Sequence, residues 1–193
     1  AQAYFDYDSK KSGGVTISHM RFGKKPIKST YLIHKSNFVA CHNPSYVNKY
    51  NMVQELVDGG TFLLNCSWDM EGLEKHLPGQ VKAFIANHNI KFYTIDGVKI
   101  GIETGMGPTR INTILQSAFF KLTGIIPEEQ AIDLMKAAAK ATYGRKGDDV
   151  VQKNWAAIDA GAKQVVEIQV PESWKNAEDE GLHMTHATEG RQD

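Results

Sequence analysis

The chain has 193 residues, of which 41% are hydrophobic and 23% charged, and its 22 basic and 22 acidic residues give a formal net charge of zero. This composition is that of one globular domain, and it excludes collagen-like, coiled-coil and wholly disordered chains. It also argues against nucleic-acid-binding proteins, which are usually basic, and against membrane proteins, because no apolar run approaches the roughly 20 residues of a spanning helix.

The first part of the chain predicts mainly strands. Residues 3–7 and 15–22 alternate between apolar and polar, and a slip near His19 predicts a bulge in the second strand. Short apolar runs over residues 30–33 and 38–41 are typical of buried strands. Pro44 begins a predicted helix that reaches Leu56 and is stopped by Gly59 and Gly60, and residues 61–66 form the clearest buried strand.

The remaining elements are mostly helical. Ser67 or Asp69 caps a predicted helix to Leu77, and Pro78 begins another to about Asn87, before a strand over residues 90–95. Apolar spacing then predicts helices over residues 111–122, ended by Gly124, from Pro127 to Gly144, and from Val151 to Ala162. Residues 165–170 predict a last strand, and the polar, aperiodic chain beyond Glu172 predicts disorder.

Strands that alternate with helices through short links predict an α/β three-layer sandwich, with a mostly parallel central sheet flanked by helices. The closely spaced first strands predict a mixed or antiparallel edge. We expect residues 1–171 to form the domain and residues 172–193 to be a polar tail or a linker to a further domain.

A basic turn near the start is the first candidate site. Residues 1–35 carry a net charge of +5, which suits an anionic ligand, whereas residues 167–193 carry −5. Two lysines and two serines precede a Gly-Gly pair that lets backbone approach a phosphate, the segment being Ser9, Lys10, Lys11, Ser12, Gly13 and Gly14. A charged hairpin turn is the structural alternative, and the turn matches neither a P-loop nor a dinucleotide fingerprint.

A glycine-rich loop that runs into a helix, residues 101–113, is the second candidate site. Thr109 is placed to cap the helix, with Arg110 and Asn112 in its first turn, where backbone N–H groups attract anions. The alternative is a helix stop followed by a helix start, with Arg110 merely exposed. The residues leave both interpretations open.

The cysteines and histidines predict no catalytic or metal site. Cys41 and Cys66, in a chain without a visible secretion signal, are typical of buried thiols in a reducing cytoplasm, although a disulfide stays open. Cys41 and His42 are adjacent on a strand and point to opposite faces, which argues against a shared metal, and a nucleophilic Cys41 lacks an evident third group. His183 and His186 lie in the predicted tail.

Six blocks in order resemble the pyruvate:ferredoxin (flavodoxin) oxidoreductase family. They are residues 7–23, 38–42, 59–65, 91–96, 110–120 and 153–159, and they include the Ser9 to Gly14 turn, the Gly59-Gly60-Thr61 run and the Arg110-Ile111-Asn112 run. Because the blocks span nearly the whole chain, together they are more specific than any one motif. The chain is similar to the gamma portion of 2-oxoacid oxidoreductases, a domain within a long fused polypeptide.

The resemblance implies an enzyme, expected to be a homodimer, that converts pyruvate and coenzyme A to acetyl-CoA and carbon dioxide. Thiamine diphosphate and iron–sulfur clusters would carry its electrons to ferredoxin or flavodoxin, and both cofactors would lie in other domains. This chain would then bind no cofactor or metal and be inactive alone. It would dock against those domains and contact coenzyme A through the turn from Ser9 to Gly14, with Arg110 and Asn112 as the second candidate.

Two departures from the family pattern carry expectations of their own. The family's gamma domain begins with a glycine-rich strand–loop–helix that would precede Ala1, and its absence predicts an exposed sheet edge. The loop from Gly105 to Arg110 is slightly longer than the family's form. A stand-alone, non-redox module that binds a phosphorylated ligand or a protein partner is the alternative function, and a hydrolase that uses Cys41 is a remote third.

Overall fold

The structure is a computed structural model that describes residues 1–7, 15–28, 31 and 33–179. It begins with an antiparallel hairpin of β1 (Gln2–Tyr7) and β2 (Thr16–Arg21). The register runs without interruption from the pair Gln2 and Arg21 to the pair Tyr7 and Thr16, so the predicted bulge near His19 is absent from these strands. The antiparallel pairing of the first strands is confirmed, but they form a separate two-stranded sheet and not an edge of the central sheet.

A second sheet of four strands is the centre of the domain, in the order β3, β4, β5, β6. Strands β3 (Ser36–Cys41), β4 (Leu56–Asn65) and β5 (Lys91–Ile95) are parallel, and β6 (Val166–Glu167) lies antiparallel against β5. The mostly parallel sheet of the prediction is therefore confirmed. Among the described residues β3 pairs only with β4 and is therefore an edge strand of this sheet.

Helices cover both faces of this sheet. They are α1 (Met70–His76), α2 (Gly79–Asn87), α3 (Gly97–Glu103), α4 (Asn112–Thr123), α5 (Glu128–Tyr143) and α6 (Asp148–Lys163). Asp69 caps α1 by accepting the Gly72 N–H at 2.9 Å, and left-handed Gly124 ends α4, both as the local signals predicted. Within the described residues no helix is both long and apolar enough to cross a membrane.

Two hydrophobic cores lie on opposite faces of the sheet, because successive side chains of a strand point to opposite sides. Leu64 of β4 packs with Leu73 of α1 and Ile85 of α2 in the first core. Leu63 packs with Ile100 of α3 and Ile114 of α4 in the second. Helices α5 and α6 enclose a small third cluster of Met135, Ala139 and Ile158, so that α5 forms an outer layer.

The helix predicted from Pro44 to Leu56 is wrong. A 3-10 helix spans Pro44–Asn48, and Leu56 already begins β4. Val47 and Val53 are fully buried, yet an irregular segment rather than a helix brings them to the first core. Gly59 and Gly60 do not stop a helix but lie inside β4, where Gly59 has a φ of +73° and the register against β3 shifts.

The end of the described chain is ordered where disorder was predicted. The predicted strand over residues 165–170 shortens to β6, and the prediction of an unstructured chain beyond Glu172 is wrong for residues 172–179. A 3-10 helix at Glu172–Asn176 buries Trp174 in the first core. We call residues 166–179 the C-terminal strap. Residues 180–193 and parts of the predicted strand at residues 30–33 lie outside the described residues, and Tyr31 and Ile33 belong to no strand.

The strap holds α2 at both of its ends. The Asn87 side chain donates to the Lys175 carbonyl at 3.0 Å, at the end of α2. At its start, the Asp179 carboxylate accepts the N–H groups of Gly79 and Gln80 at 2.6 and 3.0 Å. The strap is therefore an integral part of the domain and packs against α2.

Candidate functional site

The carboxyl ends of β4 and β5 form a crevice of the kind that binds ligands in open α/β sheets. After β4 the chain turns to α1 on one face of the sheet, and after β5 it turns to α3 on the other. Where neighbouring parallel strands send their connections to opposite faces, the following loops separate and leave a crevice. We call this side of the molecule the carboxyl edge.

Asn65, the last residue of β4, organises the carboxyl edge. Its side chain is 4% exposed and makes two hydrogen bonds: Nδ2 donates to the His42 carbonyl and Oδ1 accepts the Gly97 N–H, each at 2.8 Å. An added Cβ at Gly97 would lie 3.0 Å from Asn65 Oδ1 and 3.4 Å from Ile111 Cβ. The starts of α3 and α4 therefore meet at the end of β4.

An open cleft of about 500 Å³ lies beside Asn65. Its apolar side is formed by Pro44, Val98 and Ile102, which we call the cleft face, and its polar side includes Ser67 and Asp96. The arrangement combines an apolar wall with polar groups at the end of the sheet. The cleft was not predicted from the sequence, because residues 97–103 were not recognised as a helix.

Of the starts of α3 and α4, only that of α4 is open to an anion. At α3, Asn65 Oδ1 accepts the Gly97 N–H and Asp96 Oδ1 accepts the Lys99 N–H at 2.9 Å. At α4, no side-chain cap is present among the described residues, and the first turn carries no acid. Unpaired N–H groups with the positive end of a helix dipole favour negative charge.

The structure places the two predicted residues of the second loop at this open start. Asn112 is the first residue of α4 and exposed, and Arg110 is exposed just before it. The predicted cap at Thr109 is wrong, because Ile111 occupies the cap position and its side chain packs into the second core. Arg110 accordingly precedes the first turn instead of lying in it.

Helix α6 adds a cation that the sequence analysis missed. A Cβ at Gly105, which has a φ of +78°, would lie 3.0 Å from Cε of Lys153, so the lysine stem lies against the loop that leads to Arg110. Asp149 pairs with the Lys153 ammonium at 2.6 Å. Only the packing of α6 against α3 and α4 places this lysine here, and no local sequence signal indicates it.

The first predicted site, from Ser9 to Gly14, lies outside the described residues and remains a prediction. The hairpin that carries it is fixed at its other end, where Phe22 contacts Phe119 of α4 with ring centroids 5.7 Å apart. In the described part of the chain no three His, Cys, Asp or Glu side chains are grouped to hold a metal ion.

The two cysteines have the properties of structural thiols. Both are free and buried, which confirms that prediction. Burial raises the pKa of Cys41 to about 12 and that of Cys66 to about 11. The Cys41 thiol donates to the Asn43 carbonyl at 3.1 Å. Because the thiolate is the reactive form, these surroundings oppose the remote hydrolase interpretation of Cys41.

We expect both thiols to react slowly with iodoacetamide in the folded chain at pH 8. A pKa that is two units above the ordinary value of about 9.0 for a cysteine thiol lowers the thiolate fraction about 100-fold at this pH. The folded state favours the neutral thiol, so its contribution to stability is present below pH 9 and is lost as the pH rises toward 11. Peptide mass spectrometry gives the rate for each cysteine; equal rates in buffer and in urea contradict the expectation.

Comparisons with known proteins give the family and the fold. The sequence profile of the family "Pyruvate ferredoxin/flavodoxin oxidoreductase" matches residues 1–164. The chain is 52% identical to the pyruvate:ferredoxin oxidoreductase of Moorella thermoacetica over 180 residues, and 52% identical to the pyruvate-flavodoxin oxidoreductase of Enterobacter agglomerans over 179 residues. Each match covers 93% of this chain but 15% of the relative.

Solved structures with low sequence identity share the fold. The pyruvate oxidoreductase subunit PORC of Thermotoga maritima matches with a TM-score of 0.64 and 17% identity, over 87% of this chain and 81% of that chain. The gamma subunit of a keto/oxoacid ferredoxin oxidoreductase from Geobacter sulfurreducens matches with a TM-score of 0.52 and 17% identity, over 84% and 78%. These likenesses support the gamma-type α/β architecture.

Proposed function

Because the chain belongs to the pyruvate ferredoxin/flavodoxin oxidoreductase family, we propose that it is the gamma-type domain of a larger enzyme that oxidises pyruvate with coenzyme A. The observation that carries this proposal is the 52% identity over 93% of the chain to a pyruvate:ferredoxin oxidoreductase about six times as long. In this proposal the products are acetyl-CoA and carbon dioxide, and ferredoxin or flavodoxin accepts the electrons. The parent is a cytoplasmic homodimer, and the isolated chain is inactive.

The redox cofactors belong to other domains in this proposal. An iron–sulfur cluster needs about four cysteine thiolates, whereas this chain has two cysteines, both buried with raised pKa values. The residues present therefore do not fit a cluster, and we assign thiamine diphosphate to other domains as well. What the chain's own residues can do is bind and orient an anionic substrate.

We assign coenzyme A contact to the carboxyl edge. Coenzyme A carries several phosphate groups, and the start of α4 offers uncapped N–H groups beside Arg110 and Asn112. Lys153 contributes positive charge from α6, although Asp149 partly offsets it. The turn from Ser9 to Gly14, with Lys10 and Lys11, remains a predicted second contact with coenzyme A. Charge-assisted hydrogen bonds of this kind fix a ligand's orientation as well as its affinity.

The full-length enzyme tests this assignment. We expect Arg110→Ala to raise the KM for coenzyme A about five- to tenfold, which corresponds to about 1–1.4 kcal/mol, with kcat and the KM for pyruvate unchanged. The double variant Lys10→Ala/Lys11→Ala should act in the same direction. Arg145→Ala is the matched control, because Arg145 is also exposed but lies in the 3-10 helix Gly144–Lys146.

Two outcomes separate the proposal from its alternative. Unchanged affinity for coenzyme A in both the arginine and the lysine variants overturns the assignment of the binding edge while leaving the enzyme itself in place. A native polypeptide of about this length, seen by intact mass from source cells, instead favours the stand-alone module that binds a phosphorylated ligand or a protein partner. The size of the native polypeptide is therefore the first measurement to make.

A further inference from the structure

Two apolar side chains on α3 are exposed where the cleft opens. Val98 is 41% exposed and Ile102 is 61% exposed, and their spacing of four residues places them on one side of the helix. Pro44 lines the same cleft from the end of β3. Single exposed apolar residues are ordinary, but a group of them around a concave surface is typical of an interaction site.

The polar groups of α3 are engaged with one another rather than directed at a charged ligand. Lys99 Nζ lies 3.9 Å from Glu103 Oε1, and the Asp96 carboxylate accepts the Lys99 N–H at 2.9 Å. Charges of both signs therefore offset each other beside the cleft face. This distinguishes the cleft face from the start of α4, where positive charge is in excess, and it favours an apolar partner.

The strap indicates where the neighbouring part of the polypeptide lies. Helix α2 returns the chain from the end of β4 to the start of β5, so the start of α2 faces the carboxyl edge. Asp179 binds this start, and the described chain therefore ends on the side of the molecule that carries the cleft. The relatives are much longer than this chain, which covers 15% of their length.

We propose that the cleft face docks an apolar side chain from a neighbouring domain of the same polypeptide. The proposal rests on the chain being part of a larger enzyme, but it does not depend on the contact with coenzyme A. Docking would cover Val98 and Ile102 and hold the domain by its carboxyl edge. The start of α4 would remain open, because its charges lie outside the cleft face.

Cysteine labelling in the full-length enzyme tests whether the cleft face is covered. Ile102→Cys and Leu134→Cys are a matched pair, since Ile102 and Leu134 are 61% and 56% exposed in this domain and both lie on helices. The variants are labelled with N-ethylmaleimide, and peptide mass spectrometry measures the rate. We expect Ile102→Cys to react at about a tenth of the rate of Leu134→Cys, or more slowly still. Equal rates, or faster labelling at residue 102, overturn the docking.

A photo-cross-linking amino acid at position 102 identifies the occupant. A cross-link within one polypeptide leaves its mass on a denaturing gel unchanged, and mass spectrometry then locates the partner peptide in another domain, which supports the proposal. A product with the added mass of a second copy or of ferredoxin overturns the occupant we propose. Labelling is measured without coenzyme A, so failure of the docking is distinguishable from failure of the binding edge.

Discussion

Replacing Trp174 with alanine is expected to cost about 3–5 kcal/mol of the free energy of unfolding, in the range of other large-to-small changes at buried aromatic residues. The indole is 1% exposed and packs in the first core beside Phe92, with ring centroids 6.3 Å apart. Its Nε1 donates to the Glu74 carboxylate. Truncation leaves a cavity between α2 and the sheet and removes the anchor of the strap.

Urea unfolding followed by circular dichroism measures this loss without relying on tryptophan fluorescence. Trp174→Phe should cost less, because an aromatic ring still fills most of the space while the bond to Glu74 is lost. Trp68→Ala is the control: Trp68 is only half-buried and stacks on His76 at 4.6 Å. A loss at Trp174 no larger than that at Trp68 contradicts the integral role of the strap.

Glu74 adds a pH dependence to the same contact. The hydrogen bond from Trp174 is the main cause that lowers the pKa of Glu74, and Lys82 acts in the same direction. Because the folded state favours the carboxylate, its contribution is present above the pKa of the unfolded chain and is lost as the pH falls through the lowered value. The difference in the free energy of unfolding between the wild type and Trp174→Phe should therefore become smaller as the pH is lowered.

Gly161→Ala is expected to destabilise the domain by about 1–3 kcal/mol, toward the upper end of the range for overpacked cores. Gly161 lies where α6 crosses α4, and an added Cβ would stand 2.4 Å from the Ile114 carbonyl oxygen and 3.0 Å from Ser117 Cβ. The Ser117 hydroxyl donates to the Ile158 carbonyl at 2.5 Å in the same contact. The two helices must separate to admit the methyl group.

Gly144→Ala is the matched control for this clash. Its backbone is helical, with a φ of −54°, and nothing lies within 4 Å of an added Cβ. Reduced freedom of the unfolded chain should then stabilise the domain by about 0.4–1 kcal/mol. In urea unfolding we expect Gly161→Ala to lower the free energy of unfolding and Gly144→Ala to raise it. A neutral or stabilising effect of Gly161→Ala contradicts the close helix crossing.

Local signals were sufficient for much of the fold. The Asp69 cap, Pro78 and Pro127 at helix starts, and left-handed Gly124 each act within one or two turns, and the structure begins or ends helices at these points. The mostly parallel sheet also follows from the alternation of strands and helices along the chain. The glycine-rich loop before α4, with Arg110 and Asn112, is also a local signal, and it could therefore be identified from the sequence.

Elements that depend on distant partners were predicted poorly. The apolar spacing after Pro44 resembles that of a helix, but the pairing of β4 with β3 draws Leu56 to Asn65 into one strand, with a bulge at its glycines. Residues 172–179 of the strap have no period of their own, and they are ordered by the burial of Trp174 in the first core and by hydrogen bonds with α2. Strand β3 is distant in sequence from β4, and most of the first core is distant in sequence from the strap.

The sequence by itself determined the family, the layered α/β class, most helix boundaries and two candidate anion-binding segments. Only the tertiary structure decided that Asn65 and the starts of α3 and α4 meet at one edge, and that Lys153 lies against the loop between these two helices. Parallel strands bring their carboxyl ends together although long connections separate them in sequence, so a site built there has no local pattern. The periodicity of a sequence indicates which face of a helix or strand is buried, whereas contacts between helices and strands depend on how the whole chain packs.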